Sequence, residues 1–220
     1  MTATPRVLIV FTLVACAVPA KALDRVSMTR DGKTRQIAGR VLTEAEDGGL
    51  LVQDRESVLW AVQPEELENR SSDDTAFTFM DAGELQERLL EELPAGFDVH
   101  ATAHYLILYN TSTAYAEWCG ALYERLYWAF QNYWRRKGLQ LVDPPQPLVA
   151  LVFDTQQSYT RYAQAELGDA TGRIVGYYSL RTNRMTMYDL TGTRGLQHAR
   201  RLNSTAQINA LLLQPYAERM

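Results

Sequence analysis

The sequence predicts an α+β fold, with a small β-barrel-like module at the N-terminal end and a larger domain of mixed helices and strands after it. Short β-forming runs separated by turn residues occupy residues 23–63, which is the pattern of a β-meander. A long amphipathic pattern at 113–137 predicts a helix, and the continuous apolar run 148–153 has the length of a strand buried on both faces. With 220 residues and 46% apolar composition, the chain can bury one core, or a small core and a larger one.

Residues 1–22 have the pattern of a cleavable export signal. Arg6 provides the basic start, an apolar run of about 12 residues covers 7–18, and Ala20-Lys21-Ala22 matches a cleavage site. Such a run is well short of the roughly 20 residues that cross a bilayer. We therefore expect export to the periplasm, the cell envelope or the extracellular space. Leu13-Val14-Ala15-Cys16 also matches a lipobox, and we expect membrane association only if Cys16 is lipidated.

The charge and cysteine content exclude two classes of interaction. The formal net charge is −4, and removal of residues 1–22 makes it −6, because that segment holds two basic residues and no acidic one. A negative chain does not attract phosphate, so we expect no nucleic-acid partner. Without Cys16, Cys119 is the only thiol and cannot form an internal disulfide. Its place on the predicted long helix favours a buried, unreactive thiol over a nucleophile.

The β-rich module is expected to be a half-open barrel of short strands. Its strands are separated by turn sequences at Asp31-Gly32 and Asp47-Gly48-Gly49. The polar and acidic segment 64–80 predicts a linker. We therefore place the module and its linker at 23–75 and a second domain at 81–220.

The second domain is predicted to alternate helices and strands. Asp81 and Asp154-Thr155 are candidate caps at helix starts, and Gly168 is a helix stop. The predicted elements are a helix at 82–93, strands within 97–109, a helix at 113–137, a strand at 147–153, a helix at 156–167, a hairpin of 173–179 and 184–190, and a helix from Ser204.

The helix at 113–137 is expected to be the main core helix. Asn110-Thr111-Ser112 can cap its start, and basic residues occupy its last turn. Helical spacing predicts that its buried stripe consists of Tyr115, Trp118, Leu122, Leu126, Ala129, Phe130 and Tyr133.

The three histidines are weak candidates for a metal site. His100 and His104 are four residues apart, which would suit a shared zinc ion on a helix. Their neighbours favour a strand instead, in which four residues span about 13 Å, too far for two imidazoles to bind one ion. His198 lies in the basic run 194–201, for which a solvated loop and an anion contact are the two interpretations. We assign no catalytic and no metal-binding residue.

The segment Gly172–Leu190, GRIVGYYSLRTNRMTMYDL, carries a resemblance to a known family. Together with His104–Asn110 and Val152–Asp154, and upstream with Asp47–Val52, it resembles a secreted bacterial family of unknown function that is grouped with the gluzincin, peptidase MA-like zinc metallopeptidases.

The resemblance implies a zinc site that these 220 residues do not contain. Family members continue from a helix like Ser204–Met220 into a His-Glu-x-x-His helix, with a later Glu as third zinc ligand. We therefore expect an incomplete gluzincin-like domain, truncated before the zinc helix and non-catalytic as given, with zinc only if such a segment follows. The alternative is a non-enzymatic cell-envelope module that binds a peptide or a protein.

The resemblance also implies a place for a peptide or protein substrate. In gluzincin-like domains the strand nearest the active-site helix lines the cleft, and a substrate can pair with it as an added strand. The hairpin 176–189 would take this part, with Gly176, Tyr177, Tyr178 and Tyr188 as candidate substrate-binding residues. The other interpretation is a structural hairpin that closes the sheet.

Overall fold

The computed structural model describes residues 22–191 and 204–210, which contain two five-stranded sheets and four α-helices. This content confirms the predicted α+β class. Residues 1–21 of the predicted export signal, the loop with His198 and the end of the last predicted helix lie outside the described residues.

The first sheet is antiparallel throughout, and its spatial order is β4-β3-β2-β1-β5. The turn between the first two strands is Asp31-Gly32, whose positive φ values of 52° and 71° are those of a tight hairpin turn. β4 and β5 are its two edges, so among the described residues the module is an open sheet. Its strands are β1 (Ala22–Arg30), β2 (Lys33–Glu44), β3 (Leu50–Asp54), β4 (Leu59–Val62) and β5 (Leu67–Ala76).

The structure contradicts the predicted linker over residues 64–76. A short 3-10 helix at Pro64–Glu66 leads directly into β5, which pairs with β1 from Leu67 to Ala76. Nearly every side chain of β5 is exposed, so the strand needs no alternation of apolar and polar residues. Most of the polar sequence that predicted a linker therefore belongs to an edge strand, and residues 77–81 connect this strand to the helix that follows.

The second sheet is mixed, and its order is β6-β7-β8-β10-β9. The three central strands are mutually parallel, and an antiparallel strand lies at each edge. The apolar run predicted as a fully buried strand forms the centre of the sheet, and Val149–Phe153 are buried. The strands are β6 (Asp98–Ala101), β7 (Tyr105–Tyr109), β8 (Leu148–Phe153), β9 (Gly176–Ser179) and β10 (Arg184–Tyr188).

Helices cover both faces of the second sheet, and they are α1 (Ala82–Glu92), α2 (Thr113–Arg136), α3 (Gln156–Leu167) and α4 (205–210). The predicted cap Asp81 accepts hydrogen bonds from two backbone N–H groups of α1, and Gly168 ends α3 with a φ of 55°. α1 and α3 pack on one face, around Leu89 and Leu151. α2 and α4 pack on the other, where Ile208 is fully buried.

The predicted buried stripe of α2 is wrong in its second half. Leu126, Phe130 and Tyr133 are each more than half exposed. Apolar residues occur all around this part of the helix, so the periodicity does not define which side is covered. Contact with neighbouring elements decides instead that the buried side chains are Tyr115, Ala116, Cys119, Tyr123, Tyr127 and Gln131.

A buried arginine connects the two sheets. Arg184 of β10 is 4% exposed and donates hydrogen bonds to both carboxylate oxygens of Glu92, at 3.1 and 3.0 Å, and to Glu56 at 3.0 Å. Burial by itself lowers the pKa of this guanidinium, but the two carboxylates outweigh it and raise the pKa. Glu92 ends α1 and Glu56 follows β3, so one side chain joins three elements.

Replacement of Arg184 should destabilise the protein strongly. Arg184→Met keeps most of the side-chain volume but removes the cation that Glu56 and Glu92 share. Glu56 keeps an ion pair with Arg88 at 3.0 Å, and we expect a loss of about 2 kcal/mol in the free energy of unfolding in urea. Arg25→Met is the control, because it removes an ion pair to Asp73 at 3.4 Å whose arginine is 58% exposed. That variant should lose less than about 1 kcal/mol. Equal losses in the two variants would contradict the assignment.

Candidate functional site

β9 is an edge strand of the second sheet within the described part of the chain. It pairs with β10 from Gly176 opposite Met187 to Ser179 opposite Arg184. The Ser179 carbonyl faces inward, because it accepts a hydrogen bond from the Asn183 N–H at 2.8 Å. Backbone groups alternate along a strand, so the N–H and C=O of Tyr178 face outward. Among the described residues no strand pairs with this side of β9.

Gly176 is required by close packing at the start of this edge. A Cβ at that position would lie 2.7 Å from the Thr186 carbonyl oxygen and 2.8 Å from Cβ of Met187. Both distances are shorter than side-chain contacts allow. The glycine therefore lets β9 approach β10, and its role in the edge hairpin is structural.

The three candidate tyrosines are in different environments. Tyr178 is 51% exposed, and its hydroxyl donates to the Asn183 side chain. Tyr177 is half-buried and donates to Glu166 at 3.2 Å; burial, and then the Glu166 charge, raise its pKa. Tyr188 is 5% exposed and packs 5.3 Å from the ring of Tyr159. The structure thus places Tyr178 at the open edge and Tyr188 in the core, where it is inaccessible to a substrate.

A polar hollow of about 550 Å³ lies between the hairpin, α1 and α3. The Glu166 carboxylate lies in it and accepts hydrogen bonds from Tyr177 and Ser179. Sequence reasoning missed this glutamate, because a single acidic residue on an amphipathic helix has no distinguishing pattern. The residues that line the hollow include Glu92, Tyr162, Glu166, Tyr177, Arg181 and Thr186.

The edge and the hollow together can recognise an extended peptide. The backbone of Tyr178 offers a donor and an acceptor to an added strand. Side chains of such a strand alternate between the two faces of the sheet, so every second one could face the hollow. Its carboxylates and hydroxyls suit polar or basic side chains. This arrangement supports recognition.

His104 belongs to a hydrogen-bonded contact between α2 and the turn before β7. Its Nδ1 lies 2.8 Å from the Glu124 carboxylate, which also accepts from the His104 N–H and the Thr102 hydroxyl. The imidazole stacks on Tyr127 with ring centroids 3.9 Å apart. Burial opposes ionisation of Glu124, but these hydrogen bonds outweigh it and lower the pKa of the carboxyl group.

The described residues do not supply a zinc site. His100 lies on β6, where its ring packs against Gly120, while His104 is engaged by Glu124. Within 22–191 and 204–210, no three residues of His, Cys, Asp or Glu come together as a group that could hold a metal. The zinc that the family resemblance implies therefore has no ligand set among them.

Cys119 has the buried environment that its position predicted. Its side chain is 1% exposed on α2, and burial, followed by the charge of Asp189, raises the pKa of the thiol to about 12. A thiol with this pKa stays protonated at neutral pH, so it is unreactive as a nucleophile.

Comparisons of the chain with protein-family models, with curated proteins and with solved structures found no match. In the part of the chain that the structure describes, no helix has the length and apolar character needed to cross a membrane.

The Glu124 carboxylate should make stability sensitive to acid. The pKa of Glu124 is lower in the folded protein than the ordinary value of 4.5. Its contribution to the free energy of unfolding is therefore complete above pH 4.5 and is lost as the pH falls through the folded pKa. Glu124→Gln should therefore be less stable than the wild type at pH 7 and should lose less stability on acidification. Unfolding in urea across pH 7 to 3 measures this difference.

Glu117→Gln is the matched control, because Glu117 is exposed on the same helix. Its acid profile should follow that of the wild type. If the free energy of unfolding of Glu124→Gln changed with pH in parallel with that of the wild type, this would contradict the stabilising role of the Glu124 carboxylate.

Proposed function

We propose that these residues form the substrate-cleft portion of an exported, gluzincin-like zinc metallopeptidase. The observation that carries the proposal is the open, antiparallel edge strand β9, whose Tyr178 backbone groups face outward beside a polar hollow. An extended peptide would bind there as an additional strand of the second sheet.

The helical layer of the second sheet supports the same proposal. α4 packs beside α2, and the Trp118 indole N–H donates to the Asn209 side chain at 2.7 Å. The family resemblance implies that a His-Glu-x-x-His helix follows a helix in this position. Two histidines one turn apart would hold zinc, and the glutamate would handle the proton of the bound water. No such motif is present in the 220 residues, so the proposal assigns recognition to β9 and catalysis to residues outside this sequence.

A non-enzymatic, cell-envelope peptide- or protein-binding module is the alternative. It is favoured by the fact that strand addition needs only groups that the described residues already contain, namely the Tyr178 backbone and the hollow around Glu166. The two candidates share peptide binding and differ in the presence of a hydrolytic zinc centre.

The protein purified from its natural source should distinguish them. We expect a mass above 24.9 kDa, one zinc ion per chain by elemental analysis, and peptide hydrolysis that a chelator abolishes and zinc restores. The measurements are mass spectrometry, metal analysis and a fluorogenic peptide assay. A native product that binds peptides at this mass or below, without stoichiometric zinc, would support the binding module and reject the peptidase.

Substitution of Tyr178 should test strand addition directly. Tyr178→Pro removes the outward N–H without disturbing a hydrogen bond to β10, and Tyr178→Ala removes the ring but keeps that N–H. Loss of one backbone hydrogen bond should weaken peptide binding by about tenfold in the proline variant relative to the alanine variant. Fluorescence anisotropy with a labelled peptide selected on the wild-type protein measures both affinities.

The thermal unfolding midpoint of the two Tyr178 variants should be similar, which verifies that the sheet is intact. Equal affinities of the proline and alanine variants would show that the peptide does not pair with β9.

A further inference from the structure

The second half of α2 and the loop after it concentrate the exposed apolar side chains of the protein. Of the twelve large apolar side chains that are exposed in the described residues, seven lie between residues 126 and 142. They are Leu126, Trp128, Phe130, Tyr133, Leu139, Leu141 and Val142.

Most of these side chains lie on one side of the helix and in the adjoining loop. Leu126, Phe130 and Tyr133 are four and three residues apart, so they form one stripe on α2. Gly138, with a φ of 83°, ends the helix and directs the chain into the loop with Leu139, Leu141 and Val142. We call the stripe and the loop together the α2 tail surface. Trp128 lies on the opposite flank, where its ring contacts His104.

The charge of this region is opposite to that of the whole protein. Residues 125–142 contain Arg125, Arg135, Arg136 and Lys137 and no Asp or Glu, whereas the chain carries a net charge of −4. All four cationic residues are exposed, and the Lys137 ammonium lies 5.8 Å from the centre of the Tyr133 ring. The apolar tail surface is therefore bordered by a local excess of positive charge.

The shape of the tail surface is an open groove with a protruding rim. A groove of about 700 Å³ lies between α2 and the loop, and its lining is mainly apolar. Val142 at its rim is 92% exposed and Leu139 is 53% exposed, so these side chains have few neighbours in the protein. Protruding apolar side chains suit a fluid bilayer, which adapts to them, whereas a folded partner would need a matching hollow.

We propose that the α2 tail surface is a peripheral docking site for an anionic lipid bilayer. Exposed apolar side chains next to Tyr, Lys and Arg form the combination by which proteins attach at the lipid–water interface. Phe130, Leu139 and Val142 enter the interfacial region, and Arg136 and Lys137 contact lipid phosphates. This attachment needs neither a transmembrane helix nor an acyl chain on Cys16.

Vesicle sedimentation tests the proposal. The protein is expressed as the full chain with Cys16→Ser, so that no lipid can be attached, and the exported product is mixed with vesicles of phosphatidylcholine alone or with phosphatidylglycerol. We expect at least about tenfold stronger binding to the anionic vesicles, weakened by added salt. Binding that is absent, or equal for the two vesicle types, would overturn the proposal.

Two double variants separate the apolar and the cationic parts. Phe130→Ser with Val142→Ser, and Arg136→Glu with Lys137→Glu, should each reduce binding to anionic vesicles by about tenfold. Leu180→Ser is the matched control, since Leu180 is 79% exposed on the hairpin loop, and it should bind like the wild type. The thermal unfolding midpoint should fall only slightly in these variants, because the replaced side chains are exposed, although two glutamates at the C-terminal end of α2 act against the helix dipole.

Self-association is measured in the same preparations by sedimentation velocity. If the wild type forms dimers that Phe130→Ser with Val142→Ser abolishes, and does not bind vesicles, the occupant is a second copy and the bilayer proposal is wrong. A monomeric wild type that binds anionic vesicles only through the two sets of side chains supports it.

Discussion

The buried ion cluster of Arg184 with Glu56 and Glu92 is the constraint on which the arrangement of the rest depends. A guanidinium that is 4% exposed needs both carboxylates, and these come from α1 and from the segment after β3. β10 is therefore fixed to the first sheet as well as to its own. Because β9 pairs only with β10 among the described strands, the orientation of the candidate peptide edge follows from this cluster.

The centre and the edges of the second sheet have different roles. Helices cover both faces of its parallel centre. The side chains there pack in the core, and the backbone groups form hydrogen bonds with the neighbouring strands. Only an edge retains backbone groups for a ligand. On β9 this edge lies beside a hollow with charged and hydroxyl side chains, so that hydrogen-bonding capacity and side-chain recognition occur at one place.

The two proposed binding surfaces are at different parts of the molecule. α2 packs over β6 and β7, and β9 is the opposite edge of the same sheet. A peptide on β9 and a bilayer on the α2 tail surface would therefore not compete for the same residues. The local excess of positive charge in residues 125–142 of a negative chain favours contact of the tail surface with anionic lipid.

The sequence by itself determined the elements that have local signals. Asp81 and Thr155 cap helices, Gly168 ends one, and the apolar run at 148–153 is a buried strand, since each signal acts through neighbouring residues. Tertiary structure decided the rest. β5 is a strand only because β1 supplies its ladder, and the covered side of α2 depends on which neighbours pack against a helix that is apolar all around. Tyr188 is buried because α3 covers its face of the sheet, and strand order depends on contacts between residues distant in the chain.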